Sequence, residues 1–288
     1  MRHSFALMHM VSWPMTRMFG ALVALILVVP QARAASENDL ALGYAVYVGG
    51  VQALSLGIDL DTGIQAYDMK LALKTEGLIG RMFPWSMDAF SRGQFGNDGV
   101  RPASAGQRSL WNGKERATQL SYRPDGTVAV TAIPPQDDAA RPQVPDQQTI
   151  GTVDLVSAIL AVLKHVQGGE PCQASVPVFD GRRRYDFTAR PLGNTMLRRS
   201  SYSKFEGEAM ACRVFVRPVN GFTPRRVNII DLTNENALTV WIARLLPDLP
   251  PVPVKLDMDT DLGAIRAHIA NARRSSDEVP LGKAERKS

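Results

Sequence analysis

Residues 42–73 read LGYAVYVGGVQALSLGIDLDTGIQAYDMKLAL, and the spacing of apolar residues and glycines in this stretch decides the fold class. Residues 42–48 run into Gly49-Gly50, residues 51–60 into Asp61-Thr62-Gly63, and residues 64–73 follow with Tyr67, Met69, Leu71 and Leu73 at every second position. Every second position is one face of a pleated strand, whereas a helix groups positions three and four apart. Glycine-bearing breaks between such runs are hairpin turns. Three meandering strands are therefore predicted.

The same pattern extends outward from this stretch. Residues 109–111 meet Asn112-Gly113, residues 117–122 meet Asp125-Gly126, and residues 127–133 complete another run. Asn-Gly and Asp-Gly suit two-residue hairpins because both central residues need positive φ. Asp180-Gly181 repeats the device between 175–179 and 184–190, and residues 238–243, 252–259 and 264–269 alternate again. The predicted fold class is mainly β: a long antiparallel meander of roughly ten strands or more, curled into an incomplete barrel or β-spiral. One amphipathic helix is expected to pack against it. Thr152 can cap this helix, and Val153, Val156, Ile159, Leu160, Leu163 and Val166 fall at helical spacing before Gly168-Gly169 and Pro171. Its apolar stripe belongs either inside the curved sheet or on its outer face. Residues 134–148, polar and rich in proline, read as a surface connection.

The chain's beginning reads as an export signal. Residues 1–34 hold Arg2, His3 and Arg17 with no acidic side chain, then an apolar run over 19–29. Eleven helical residues cover about half of a ~30 Å hydrocarbon core, too short for an ordinary span and suited to the apolar segment of a signal peptide. Pro30 breaks the run, and Ala32-Arg33-Ala34 places the cut before Ala35. No cysteine follows that cut closely, so no lipid anchor and no transmembrane span are expected after cleavage. The expected organisation is a signal at 1–34, a single β-rich domain at 35–270 and a disordered tail at 271–288, charged and poor in apolar residues. The expected location is the Gram-negative periplasm. Removing the signal leaves 30 Lys+Arg against 28 Asp+Glu, a net charge of +2 that supplies no field for nucleic acid.

Two cysteines, Cys172 and Cys212, lack the spacing of a metal or redox motif; in an oxidising compartment they should pair, the alternative being two unpaired buried thiols. Catalytic signatures are missing. No nucleophile elbow, zinc-protease motif, P-loop or dinucleotide fingerprint occurs, and nothing joins His165 or His268 to a serine and an aspartate. No catalytic residue, cofactor or metal is assigned. Asp257, Asp259 and Asp261 alternate like the opening of a calcium loop, but Leu262 and His268 stand where glycine and glutamate are needed. Arg182 and Arg184, placed by alternation on one face, form a candidate anion contact, against the alternative of a solvated hairpin. The stretch from Gly77 to Trp85 reads as a loop carrying large apolar side chains. Leu78, Ile79, Phe83 and Trp85 form a candidate ligand rim, the alternative being a plug in the sheet's open end.

Several of these pieces occur together in one known family. Tyr44-Ala45-Val46-Tyr47 with Gly49-Gly50, Gly77-Leu78-Ile79-Gly80 with Phe83-Pro84-Trp85, and Val178-Phe179-Asp180-Gly181-Arg182-Arg183-Arg184-Tyr185 resemble the exported domain-of-unknown-function family numbered 3108. Cys172 and Cys212, Tyr202-Ser203 and Pro253-Val254 sit in the same order. The resemblance covers roughly residues 40–270. It implies an architecture similar to periplasmic lipoprotein carriers and β-spiral envelope-integrity proteins, and it implies no chemistry. Two functions are expected to compete. One is non-enzymatic binding of a hydrophobic lipid or acyl ligand in envelope maintenance; the other is a structural or protein-interaction module with a filled core.

Overall fold

A computed structural model describes residues 39–63, 65–96, 99–135, 142–222, 231–260 and 263–282. The expected signal peptide and its cut at Ala34–Ala35 lie outside these residues. Alternation in the sequence becomes pairing in space. The elements in chain order are β1 (Asp39–Val48), β2 (Val51–Thr62), β3 (Ala66–Thr75), α1 (Gly77–Met82), β4 (Trp85–Gly96), β5 (Gly99–Trp111), β6 (Lys114–Tyr122), β7 (Val128–Ile133), α2 (Leu155–Gln167), β8 (Ala174–Phe179), β9 (Arg184–Leu197), β10 (Gly207–Asn220), β11 (Leu238–Ala243), β12 (Val252–Thr260), β13 (Gly263–Arg274) and β14 (Asp277–Glu278). One antiparallel sheet takes them in the order β7-β6-β5-β4-β3-β2-β1-β13-β12-β11-β10-β9-β8, with β14 beside β13.

Two meanders, β1–β7 and β8–β13, thus meet where the first strand pairs with β13, Val46 lying opposite both Ala267 and Leu54. The sheet's outer strands, β7 and β8, are consecutive in the chain and are not hydrogen-bonded to each other. They approach through side chains instead: Phe179 at the end of β8 clusters with Ala105 and Leu120 of β5 and β6, and Val128 of β7 packs against that cluster. Gly181 takes φ +87, and a Cβ there would lie 2.5 Å from Thr118 Cγ2, so only glycine lets the β8–β9 turn come so near β6. The sheet therefore curls into an incomplete barrel, as the alternation predicts.

The amphipathic helix lies inside the curl. Val156 and Leu160 join the core of Leu40, Leu42, Ile58 and Leu60, while Ala158, Val162 and Leu163 join the core of Val178, Phe187 and Val214. A helix packed only on an outer face would meet one of these groups. Its N-cap is Asp154 rather than Thr152, because Asp154 Oδ1 accepts from Ser157 N at 3.1 Å while Thr152 Oγ1 donates to Thr149 O. Just ahead of the helix, Val153 N donates to Pro177 O and Phe179 N to Val153 O, each at 3.0 Å, which covers the free edge of β8. Cys172, after the helix, is bonded to Cys212 of β10, with the Cα atoms 6.3 Å apart and both residues fully buried.

Three expectations need correction. β4 and β10 are strands that alternation did not reveal; glycines and charges interrupt β4, and β10 buries neighbouring residues in succession, Ala211 with Cys212 and then Val214, Phe215 and Val216, so it lacks a period of two. The run from Gly77 is a short helix followed by a strand that starts at Trp85, not a loop. The tail from Asn271 is structured as far as Gly282: β13 continues to Arg274, Val279 N donates to Ala272 O at 2.9 Å, and Val279 and Leu281 pack on the core. Isolated apolar residues in a charged segment suffice here because their backbone continues an existing strand. Residues 283–288 lie outside the described ones. Among the described residues no helix is long and apolar enough to cross a membrane.

Candidate functional site

Strands β2 to β7 turn one face toward α2 and the other away from it. Ser91 of β4 shows which is which: its hydroxyl reaches Asp154 at 2.9 Å and Ser157 at 2.9 Å, so its neighbours Phe90 and Arg92 point outward. Across this outer face runs a groove of about 580 Å³, within the range that small-molecule sites occupy. Gly57, Ala72 and Ala117 keep it open, and Phe90 and Ile133 give it apolar walls. Phe90 lies opposite Gly106, where a Cβ would sit 2.7 Å from Phe90 Cε1; glycine there lets the ring rest on β5. The Arg92 guanidinium stands 5.3 Å from the centre of that ring and is held by Asp68 at 2.9 Å. Arg108 on the rim is bound by Glu115 at 2.8 Å. Paired charges thus border an apolar trough.

Two positions further along the same face, Ser86 and Leu110 pair across β4 and β5 and line a second hollow of about 240 Å³ with Pro84 and Trp85. This hollow leads to α1, where the expected rim residues sit together. Leu78 is 70% exposed and Phe83 57%, so neither plugs the sheet; Ile79 and Trp85 are half-buried. Met82, Leu110 and Trp111 add exposed apolar surface, the last lying opposite Trp85. The segment is nonetheless firmly attached. Trp85 N donates to Thr75 Oγ1 at 3.0 Å, Glu76 N donates to Ala53 O at 2.8 Å, and Ser55 Oγ donates to the Glu76 carboxylate at 2.7 Å.

On the inner face, the helix N-terminus carries a buried polar cluster. Ser157 Oγ donates to Asp154 Oδ2 at 2.6 Å and Ser91 Oγ donates to the same oxygen, which leaves the Tyr67 hydroxyl to donate to Ser157 at 2.8 Å. Burial raises the Asp154 pKa above its ordinary value, against the hydrogen bonds from Ser157 and Ser91 that lower it. Burial likewise pushes Tyr67 up to about 12. The cluster is sealed from solvent, with Ser91 and Ser157 fully buried, so it ties the helix to β3 and β4 rather than presenting a reactive group.

The remaining candidates are dispersed. Asp180 closes the hairpin turn by accepting from Arg182 N at 3.0 Å and Arg183 N at 2.8 Å, so Arg182 lies in the turn, ahead of the strand on which alternation placed it. Arg184 is bound to Asp186 at 2.7 Å, and Arg182 lines a separate hollow of about 200 Å³ with Val144 and Phe179. The pair is therefore not two unopposed cations on a shared face. His165 meets Glu170 at 3.1 Å on the surface, and His268 packs its ring against Tyr47. Asp257 is engaged by Lys255 at 2.8 Å, and Asp261 lies outside the described residues. The groove was not foreseen from the sequence. Its signal was the alternation of Asp88, Phe90 and Arg92 within β4, hidden by that strand's glycines.

No curated protein matches the chain. Among solved structures, the chain is similar to a β-barrel-like protein of the domain-of-unknown-function family 1849 from Brucella abortus, with 10% identity, a TM-score of 0.47, and 84% of this chain and 100% of that one covered. The family model described as "Protein of unknown function (DUF3108)" matches residues 43–270. That span agrees with the resemblance carried by the motifs around Tyr44, Gly77 and Asp180, and the chain belongs to the DUF3108 family.

Proposed function

We propose that this protein is an exported, non-enzymatic binding protein of the Gram-negative envelope, and that the groove on β2–β7 takes a hydrophobic ligand of the acyl-chain class. The groove itself carries the reading: about 580 Å³ walled by Phe90 and Ile133 and kept open by glycine and alanine. An apolar trough of that size left in water is disfavoured unless something fills it. Charged partners at its border, Arg92 with Asp68 and Arg108 with Glu115, suit a ligand with a polar end. A disulfide between fully buried cysteines fits an oxidising compartment such as the periplasm, and the basic, alanine-terminated leader fits export to it.

Uptake of a dansyl-labelled fatty acid tests the reading. Ala72 is exposed, so Ala72→Trp fills the trough without entering the core; it should weaken uptake about ten-fold or more and leave urea stability within about 0.5 kcal/mol. Absence of uptake by the parent removes the carrier reading. The filled core beneath α2 then favours the alternative, an interaction module of the envelope with no small ligand.

A further inference from the structure

The end of the sheet that carries α1 has a chemistry of its own. Leu78, Met82, Phe83 and Trp111 expose large apolar side chains there, and α1 is fixed to its strands by Thr75, Glu76 and Ala53. Gly80 makes the attachment close, since a Cβ there would lie 2.8 Å from Thr75 O. A surface segment so firmly held, with its apolar side chains facing solvent, is ready to bury them elsewhere.

The charges around it indicate where. Residues 74–85 and 110–116 contain Lys74, Arg81, Lys114 and Arg116 against Glu76 and Glu115. Both acids are already engaged, Glu76 by Ser55 and Lys74 and Glu115 by Arg108, which holds each carboxylate below its usual range and ionised. What faces outward is an apolar tip with an excess of cations. Tryptophan at the margin, Leu, Met and Phe beyond it, and Lys and Arg alongside are the side chains that bilayer interfaces select. We infer that this end of the sheet docks on an anionic bilayer surface, with Leu78, Met82 and Phe83 entering the headgroup boundary and Arg81 and Lys114 meeting lipid phosphates. The inference goes beyond the groove reading and does not depend on it, since a protein whose groove stays empty can still dock.

Co-sedimentation of the exported protein with phosphatidylglycerol-containing and phosphatidylcholine vesicles tests it. Partition is expected on the anionic vesicles, about ten-fold or more weaker for Phe83→Asp and for Leu78→Asp. Arg81→Glu should weaken it roughly five-fold on anionic vesicles only. Lipids brominated near the headgroup should quench Trp85 and Trp111, and the double variant Trp85→Phe/Trp111→Phe should lose that quenching, because Trp241 is packed on the core with Lys255 over its ring. Because Leu78 and Phe83 are exposed, urea unfolding of the parent and variants should coincide, and Arg81→Glu serves as a second probe if it does not. No partition on anionic vesicles, partition indifferent to Phe83→Asp and Arg81→Glu, or quenching that survives the double variant overturns the inference. So does a dimer dissociated by Phe83→Asp without vesicle binding, since a second copy would then be the partner. Failure of Ala72→Trp to affect fatty-acid uptake leaves docking untouched, so the two readings fail separately.

Discussion

Asp154 serves as the N-cap of a helix that lies inside the protein. The cap needs an acceptor for Ser157 N, and burial penalises that acceptor's charge. The folded pKa is raised above 3.8, so the folded state holds the proton more tightly than the unfolded chain. The resulting stabilisation is fully present below 3.8 and is lost as pH rises through the raised folded value. An asparagine side chain at this position would not titrate. The stability of Asp154→Asn relative to the parent should therefore shift in the variant's favour between acid and neutral pH, as followed by urea unfolding; a constant difference would contradict the raised pKa. Asp154→Ala removes the acceptor altogether and should cost about 1–2 kcal/mol for the cap alone. His268 acts in the opposite sense. Burial and the charges of Lys255 and Arg266 hold its pKa below 6.5, so its contribution is present above that value and is lost as pH falls through the lower folded one.

At the scale of elements, α1 and the strand after it separate what sequence reveals from what it conceals. Phe83→Ala should change stability by less than about 1 kcal/mol, where a buried aromatic would cost about 3–5. Gly80→Val should cost about 1–3 kcal/mol, because its Cβ would meet the Thr75 carbonyl. Urea denaturation of both variants tests the contrast between an exposed surface and a tight base. The hairpins around Gly49-Gly50, Asn112-Gly113 and Asp180-Gly181 were legible because one face of each strand is buried and each turn needs glycine or asparagine. β4 was not legible. Its buried face carries Ala89, Ser91 and Gly93, chosen to meet the helix cap and the Tyr67 hydroxyl, and a reading keyed to large apolar residues passes over them. Leu78, Ile79, Phe83 and Trp85, the expected rim, were picked out together because apolar side chains in a glycine-broken segment stand out locally. The groove brings together residues from six strands, of which the alternation within β4 reveals only one wall.

For the molecule as a whole, the disulfide and the meeting of the two meanders matter most. Cys172 and Cys212 link the segment after α2 to β10 across 40 positions, and closing such a loop stabilises by roughly 4 kcal/mol in the chain-entropy model. Cys172→Ser/Cys212→Ser should lower the urea midpoint accordingly, and unfolded, unreduced parent should show no free thiol. The pairing of β1 with β13 also sets an order in time. Inside each meander a strand's partner is its neighbour in the chain and can zip up as soon as it exists. Tyr44 and Ile269 face each other from near the two ends of the chain. A chain emerging from a pore with its N-terminus first would carry β1 with one edge bare until β13 arrives, so the two meanders join only when nearly all of the sheet has emerged.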